Sequence, residues 1–112
     1  MITGNGGGSS FGSAIALGQL DDDDGLELVV GSKNGGSPLG GGGLVAVFRH
    51  VPTVDRDVED ADHRLVGSSP AAELGTGLAI AADIQGDGYP DVLAGAPLDS
   101  PGARVGAGAV WV

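Results

Sequence analysis

Apolar positions along this chain fall in short runs of Val, Leu, Ile and Ala, bounded by clusters of Gly, Ser, Pro and Asp. Runs of that length between turn residues predict strands rather than helices. In order, strands are expected over about residues 12–17, 26–30, 43–48 and 63–66, then 76–81, 90–94 and 107–112. The glycine-rich stretches 32–42 and 96–107 read as hairpin loops, because glycine supplies the positive φ that tight turns need.

The same pattern is written nearly twice. Ile2-Thr3-Gly4 matches Leu65-Val66-Gly67, and Phe11-Gly12-Ser13 matches Leu74-Gly75-Thr76, both 63 residues apart. One inserted residue near Ala82 raises the offset to 64, which sets Glu27 on Asp91 and Gly31 on Gly95. Gly43-Leu44-Val45-Ala46-Val47 then pairs with Gly108-Ala109-Val110-Trp111-Val112 at an offset of 65. A repeat at this period means stacked supersecondary units. The expected organisation is an N-terminal strand and Gly-rich linker (1–10), a first four-stranded unit (11–67), and a second unit (68–112) whose fourth strand is missing. Residues 1–3 match that missing kind of strand.

Composition narrows the core. With 23 Gly and 6 Pro the chain approaches low-complexity levels, yet 41% of residues are hydrophobic, which argues for an ordered, turn-rich fold. Only two Phe, one Tyr, one Trp and one Met are available, so small aliphatic residues must pack closely between backbones. The net charge of -10, with five Lys and Arg, disfavours nucleic acid and anionic membranes as partners and suits cations. No cysteine is present, which excludes disulfides and thiolate metal sites without fixing a compartment. Neither a signal peptide nor an apolar run of membrane-spanning length is evident, so no membrane insertion is expected.

The acidic residues fall in three places. Across residues 83–91, side-chain oxygens occupy the first, third, fifth and ninth positions, a spacing that wraps a short loop round one hard cation, read here as Ca2+. An EF-hand would carry Glu at position twelve between helices, but Ala94 stands there in a predicted strand. The loop therefore joins two strands. An Asp-Gly hairpin turn that binds nothing is the alternative. The run Asp21 to Asp24 has the character of a ligand cluster, since adjacent carboxylates repel unless a cation sits among them. Asp55, Asp57, Glu59, Asp60 and Asp62 lack regular spacing and read as a solvated loop.

Other chemistry is weakly signalled. His50 and His63 have no partner at catalytic or zinc-ligand spacing and read as surface residues. Ser9-Ser10 and Ser68-Ser69 occupy equivalent places before the first strand of each unit, which argues for loop geometry over a nucleophile, and no Gly-x-Ser-x-Gly elbow is present. The segment Gly4-Asn5-Gly6-Gly7-Gly8 lacks the helix and Lys of a phosphate loop.

Phe11-Gly12 followed by an acidic loop, then Asp91-Val92-Leu93-Ala94-Gly95-Ala96-Pro97, then Gly108-Ala109-Val110-Trp111-Val112, resembles the FG-GAP repeat of integrin α-subunit β-propellers. The resemblance implies an all-β chain of about two four-stranded antiparallel propeller blades. It implies Ca2+ held by the side chains of Asp83, Gln85, Asp87 and Asp91 and the carbonyl of Tyr89. Gln85 departs from the usual Asp or Asn. In the first copy, aligning Glu27 on Asp91 places Gln19, Asp21 and Asp23 at positions one, three and five and the Gly25 carbonyl at seven. A loop bulged by one residue would instead use Asp22 and Asp24-Gly25 at the expense of Glu27, and both frames stand at this point. Gly31-Ser32-Lys33 replaces Gly-Ala-Pro in this copy.

Two blades are too few for a closed ring of about four to eight. An apolar blade face at each end and an open edge on the second copy predict association. Head-to-tail self-assembly, with residues 1–3 of one chain beside residues 107–112 of the next, gives a ring or a filament; a place among neighbouring repeats of a longer protein is the other source of a strand. The expected function is a non-enzymatic extracellular or cell-surface structural and adhesion module that meets a protein or glycan. A lectin-like assembly would use Trp111 or Tyr89 to stack on sugars.

Overall fold

The computed structural model describes residues 1–36 and 41–112, with Trp111 described by its backbone alone. The elements in order are β1 (Ile2–Thr3), β2 (Phe11–Gly18), β3 (Glu27–Ser32), β4 (Leu44–Phe48), β5 (Arg56–Asp57), a single 3-10 turn (Val58–Asp60), β6 (His63–Val66), β7 (Gly77–Ala81), β8 (Asp91–Ala96) and β9 (Ala109–Trp111). Part of the expected 32–42 loop, residues 37–40, lies outside the described residues. The chain is all-β, and its two main sheets are antiparallel: β2-β3-β4-β6 in the first unit and β7-β8-β9 in the second. These are propeller-type blades, the second with three strands.

Register carries the repeat into three dimensions. Gly18 pairs with Glu27 in the first sheet and Ala81 with Asp91 in the second. The first acidic hairpin thus spans residues 19–26 and the second 82–90, and the extra residue inferred near Ala82 sits in the turn. Both Phe11-Gly12 and Leu74-Gly75 present a glycine at φ near +87° and +86°. At Gly12 this accompanies a register slip between Phe11 and Ala14, the local bend a bulge produces.

The two blades are joined by one apolar cluster. Val29 and Val45 of the first sheet, Ala94 and Ala96 of the second, and Leu74 from the linker are all buried. Burying Leu74 completely contributes on the order of 2 kcal/mol. The linker comes close enough to make a parallel bridge with Gly43, and Gly75 N–H donates to the Gly95 carbonyl at 2.9 Å. Side chains would obstruct this: a Cβ on Gly31 would stand 2.1 Å from the Gly75 carbonyl oxygen. Behind the linker, Ser68 and Ser69 donate to the buried carboxylate of Asp99, Ser69 at 2.6 Å. Ser68 and Ser69 thus serve loop geometry, and at the offset of 63 they fall on Asn5 and Gly6 and not on Ser9-Ser10.

A second cluster changes the picture of the outer face. Val30, Leu44, Ala46 and Phe48 are buried against Val58, with Ile2, Phe11 and Ala61 packed beside them. An apolar face was expected to be open at this end; over β3 and β4 it is covered by Val58 and Ala61 of the chain itself. It remains open over β2, where Ile15 and Leu17 are 66% and 56% exposed. Asp55, Glu59, Asp60 and Asp62 stay exposed, as a solvated loop requires, while Val58 between them turns inward onto the sheet. Asp57 caps the 3-10 turn by accepting from Glu59 N–H, while Asp60 accepts from Asp57 N–H, a capping box that positions Val58.

Residues 1–3 also take a different partner from the one expected. Ile2 and Thr3 pair in parallel with Arg56 and Asp57, and the N-terminal ammonium lies 2.6 Å from the Asp55 carboxylate. The opposite charge of Asp55 and the backbone donor of Arg56, which bonds the Met1 carbonyl at 2.9 Å, hold the segment within its own chain. Among the described residues, edge strand β9 has β8 on one side alone. No helix among the described residues is long and apolar enough to cross a membrane.

Candidate metal centre

The second hairpin organises its carboxylates with its own donors. Asp83, ahead of the turn, accepts from the backbone N–H groups of Gly86, Asp87 and Gly88 at 2.5, 3.1 and 2.8 Å. Asp87 accepts from Tyr89 N–H at 3.0 Å. Asp91 begins β8 and is buried; Ile84 N–H, Gln85 N–H and the Gln85 side-chain amide donate to it at 2.6, 3.1 and 2.7 Å. These bonds favour the ionised form. The Gln85 amide, then the Ile84 N–H, hold the Asp91 carboxyl below its ordinary value of 3.8, against the opposing push of burial. The positively charged N-terminus does the same for Asp55 by hydrogen bond and by charge.

The first hairpin is wired the other way. Gln19 stands where Asp83 does, and its amide donates to the carbonyls of Asp21 and Asp23, the former at 3.1 Å. Asp21 and Asp23 each fold back on the loop, accepting from Asp23 N–H at 3.0 Å and Gly25 N–H at 2.7 Å. Glu27 begins β3 and is 2% exposed. Its Oε2 accepts from Leu20 N–H, but its Oε1 is buried with no hydrogen-bond partner among the described residues. A buried carboxylate oxygen left this way carries the full cost of its lost hydration, on the order of 1–3 kcal/mol.

The surroundings of that oxygen matter. One carboxylate oxygen from each of Asp21, Asp23 and Glu27 lies within 4.8 Å of the others. Oxygens around one calcium ion, each about 2.3–2.6 Å from it, stand up to about 5 Å apart. The donor set therefore fits a divalent cation in chemistry and spacing, and the orphaned Glu27 oxygen marks what such an ion would satisfy. Among the described residues, Asp83, Asp87 and Asp91 do not gather to that spacing.

Placement of the residues singled out earlier is mixed. Asp21, Asp23 and Glu27 come together as in the frame that aligns Glu27 on Asp91; Asp22 and Asp24 are exposed. Gln19 and Gln85 present amide nitrogens to acceptors. The Tyr89 side chain is 46% exposed, and the side chain of Trp111 lies outside the described residues. Two neighbours were missed. Arg49 Nε is 3.9 Å from Asp21 Oδ2, and His50 Nε2 is 3.9 Å from Asp23 Oδ2. Both directly follow β4, whose pairing with β3 brings its end to the base of the first hairpin. Sequence spacing carries no trace of that approach.

Comparison with known proteins agrees with this architecture. Residues 74–112 match the family model described as FG-GAP repeat. Over 97 residues, 84% of the chain, it is 33% identical to integrin alpha-7 of Rattus norvegicus. Integrin alpha-7 of Homo sapiens is 32% identical over 105 residues, 91% of the chain. In each case the matched stretch covers 8% of the relative's length.

Proposed function

The chain carries an FG-GAP repeat at residues 74–112, and from that premise we propose that it is a calcium-stabilised, non-enzymatic structural and adhesion module within a cell-surface propeller. The observation that carries this reading is the buried, unpartnered Glu27 Oε1 inside a group of three carboxylates. Asp21 and Asp23 come from the turn and Glu27 from the first residue of β3. A cation held by all three ties turn to strand and fixes the angle at which the hairpin leaves the sheet. Gln19 braces the loop through its carbonyls, and the Gly25 carbonyl completes the set.

The second hairpin is the weaker site in this proposal. Asp83, Gln85, Asp87 and Asp91, with the Tyr89 carbonyl, would hold the ion, but backbone and amide donors already occupy much of their accepting capacity. Ligation there must exchange those hydrogen bonds for metal contacts.

The open edge of β9 takes a fourth strand from an adjoining repeat. A groove of about 300 Å³ lies between the two sheets, lined by Val47, His63 and Leu65 of the first unit and Pro90, Val92 and Val112 of the second, and offers apolar contacts to the side chains of such a strand. A second copy of this chain is the alternative donor, and residues 1–3 would then have to leave Arg56 and Asp57. Mass by light scattering, with and without residues 1–4, separates the two: an assembly lost on deletion favours the second copy. For the cation, the test is thermal unfolding in chelator and in calcium. Tm rises with calcium and Glu27→Gln removes most of the rise; a Tm indifferent to both chelator and calcium overturns the proposal.

A further inference from the structure

We propose that Asn5 is a site of spontaneous deamidation, and that the carboxylate formed there loosens the hold of the N-terminal residues on β5.

Asn or Asp stands directly before Gly four times in this chain: Asn5-Gly6, Asp24-Gly25, Asn34-Gly35 and Asp87-Gly88. Ring closure at such a pair needs the glycine backbone nitrogen to lose its proton and attack the preceding side-chain carbonyl carbon. An N–H that is already donating a hydrogen bond is held back from this. Three of the four are held. Gly25 N–H donates to Asp23 at 2.7 Å, Gly35 N–H to the Ser32 carbonyl at 2.8 Å, and Gly88 N–H to Asp83 at 2.8 Å. Gly35 is also buried, and the Asn34 amide donates to Ser10 Oγ at 3.0 Å. Among the described residues the Gly6 N–H has no acceptor; Gly6 is bonded through its carbonyl, which takes Ser9 N–H at 3.3 Å. Asn5 and Gly6 are both exposed, and a Cβ on Gly6 would meet nothing within 4 Å, so no neighbour crowds the approach.

The step balances with water as the co-reactant. The Gly6 nitrogen, its proton lost to solvent, bonds to Asn5 Cγ. The Cγ–Nδ2 bond breaks, and the amide takes up a proton and leaves as ammonia, closing a succinimide ring. Water then opens the ring at either carbonyl, giving Asp or isoAsp.

The consequence lies in what Asn5 holds. Its amide nitrogen donates to Glu59, which also accepts from Arg64. Deamidation replaces that donor with a second negative charge facing the Glu59 carboxylate, and like charges repel. Arg64, which lines the same cleft, then has two carboxylates to serve. Close by in the chain, the N-terminal ammonium meets Asp55 and β1 pairs with β5, so strain at Asn5 and Glu59 is passed to that pairing.

The test incubates the full chain at neutral pH and follows it by peptide mass spectrometry; cleavage after Lys33 separates Asn5 from Asn34. The fragment with Asn5 is expected to gain the mass difference between amide and carboxyl about tenfold faster than the fragment with Asn34, the rate ratio that about one retained hydrogen bond supplies. Gly6→Val, for which there is open space, should slow Asn5 to the Asn34 rate with circular dichroism unchanged. Equal rates at Asn5 and Asn34, or an Asn5 rate that Gly6→Val leaves unaltered, overturn the site. For the consequence, Asn5→Asp stands in for the product and Asn5→Ala for loss of the donor alone. Hydrogen exchange at Arg56, whose N–H bonds the Met1 carbonyl, should be about threefold or more faster in Asn5→Asp than in Asn5→Ala, and adding Glu59→Gln should remove the difference. Equal exchange in the two variants overturns the loosening and leaves the deamidation standing.

Discussion

In the hairpin between β7 and β8 the leading side chain, Asp83, accepts from the N–H groups of three loop residues. In the hairpin between β2 and β3 the leading side chain, Gln19, donates to loop carbonyls instead. The closing residues differ in the same sense: Asp91 is met by donors on both oxygens, while among the described residues Glu27 Oε1 is unmet. The second loop gives six backbone N–H groups to its own carboxylates, and the first gives three. The first also turns the Asp21 and Asp23 carbonyls toward the Gln19 amide, so fewer donors are left for its carboxylates and Glu27 Oε1 is the atom unmet. Two copies of one pattern can therefore hold the same strands and differ in what they ask of a ligand.

The comparison is broken most severely by separating the two sheets. Gly43 has φ +85° and a Cβ there would stand 2.2 Å from the Leu74 backbone nitrogen and oxygen. Gly43→Ala is expected to cost more than about 3 kcal/mol, through strain and displacement of the linker. Denaturant unfolding with an unshifted midpoint would refute the shared contact. Next in size is Leu74→Ala, which empties the centre of the cluster between the blades and should cost about 2–5 kcal/mol; a loss well under that range means the blades do not depend on this residue.

A smaller effect tests the hairpins directly. Calcium at a hundredfold excess over its dissociation constant should stabilise the chain by about 2.7 kcal/mol. Glu27→Gln should remove most of this and Asp91→Asn less. Equal losses would erase the proposed difference between the loops. Smaller again is the acid response in chelator. The Asp91 carboxyl titrates below 3.8 in the folded chain, so its contribution is present above that value and fades as pH falls through the lower, folded one. Asp91→Asn should flatten the acid limb of stability, while an unchanged limb removes Asp91 from the account. Asp55→Asn should have the least effect, because Asp55 and the ammonium it meets are both exposed.

Much of the candidate site was legible as spacing: oxygens at alternate positions before a strand pointed to both hairpins. Which carboxylates converge was not, because Glu27 and Asp91 differ by one methylene whose effect depends on the packing around each strand. Asp57 and Asp60 stood at capping-box spacing, yet their role is plain only once Val58 is seen beneath Phe48 and Val30.

By itself, the sequence determined the strands, their antiparallel pairing within each blade, the doubled unit and the residue inserted in its second turn. Those follow from local causes: short apolar runs, and glycine and aspartate at the turns. Tertiary structure alone decided that Ile2 and Thr3 pair with Arg56 and Asp57, that Val58 and Ala61 cover the outer face, and that Arg49 and His50 reach the first acidic loop. Each joins segments distant in the chain or brought together only by strand pairing, and a two-residue strand has too little periodicity to announce its partner. Contact between such segments is set by how whole sheets pack, which no local pattern encodes.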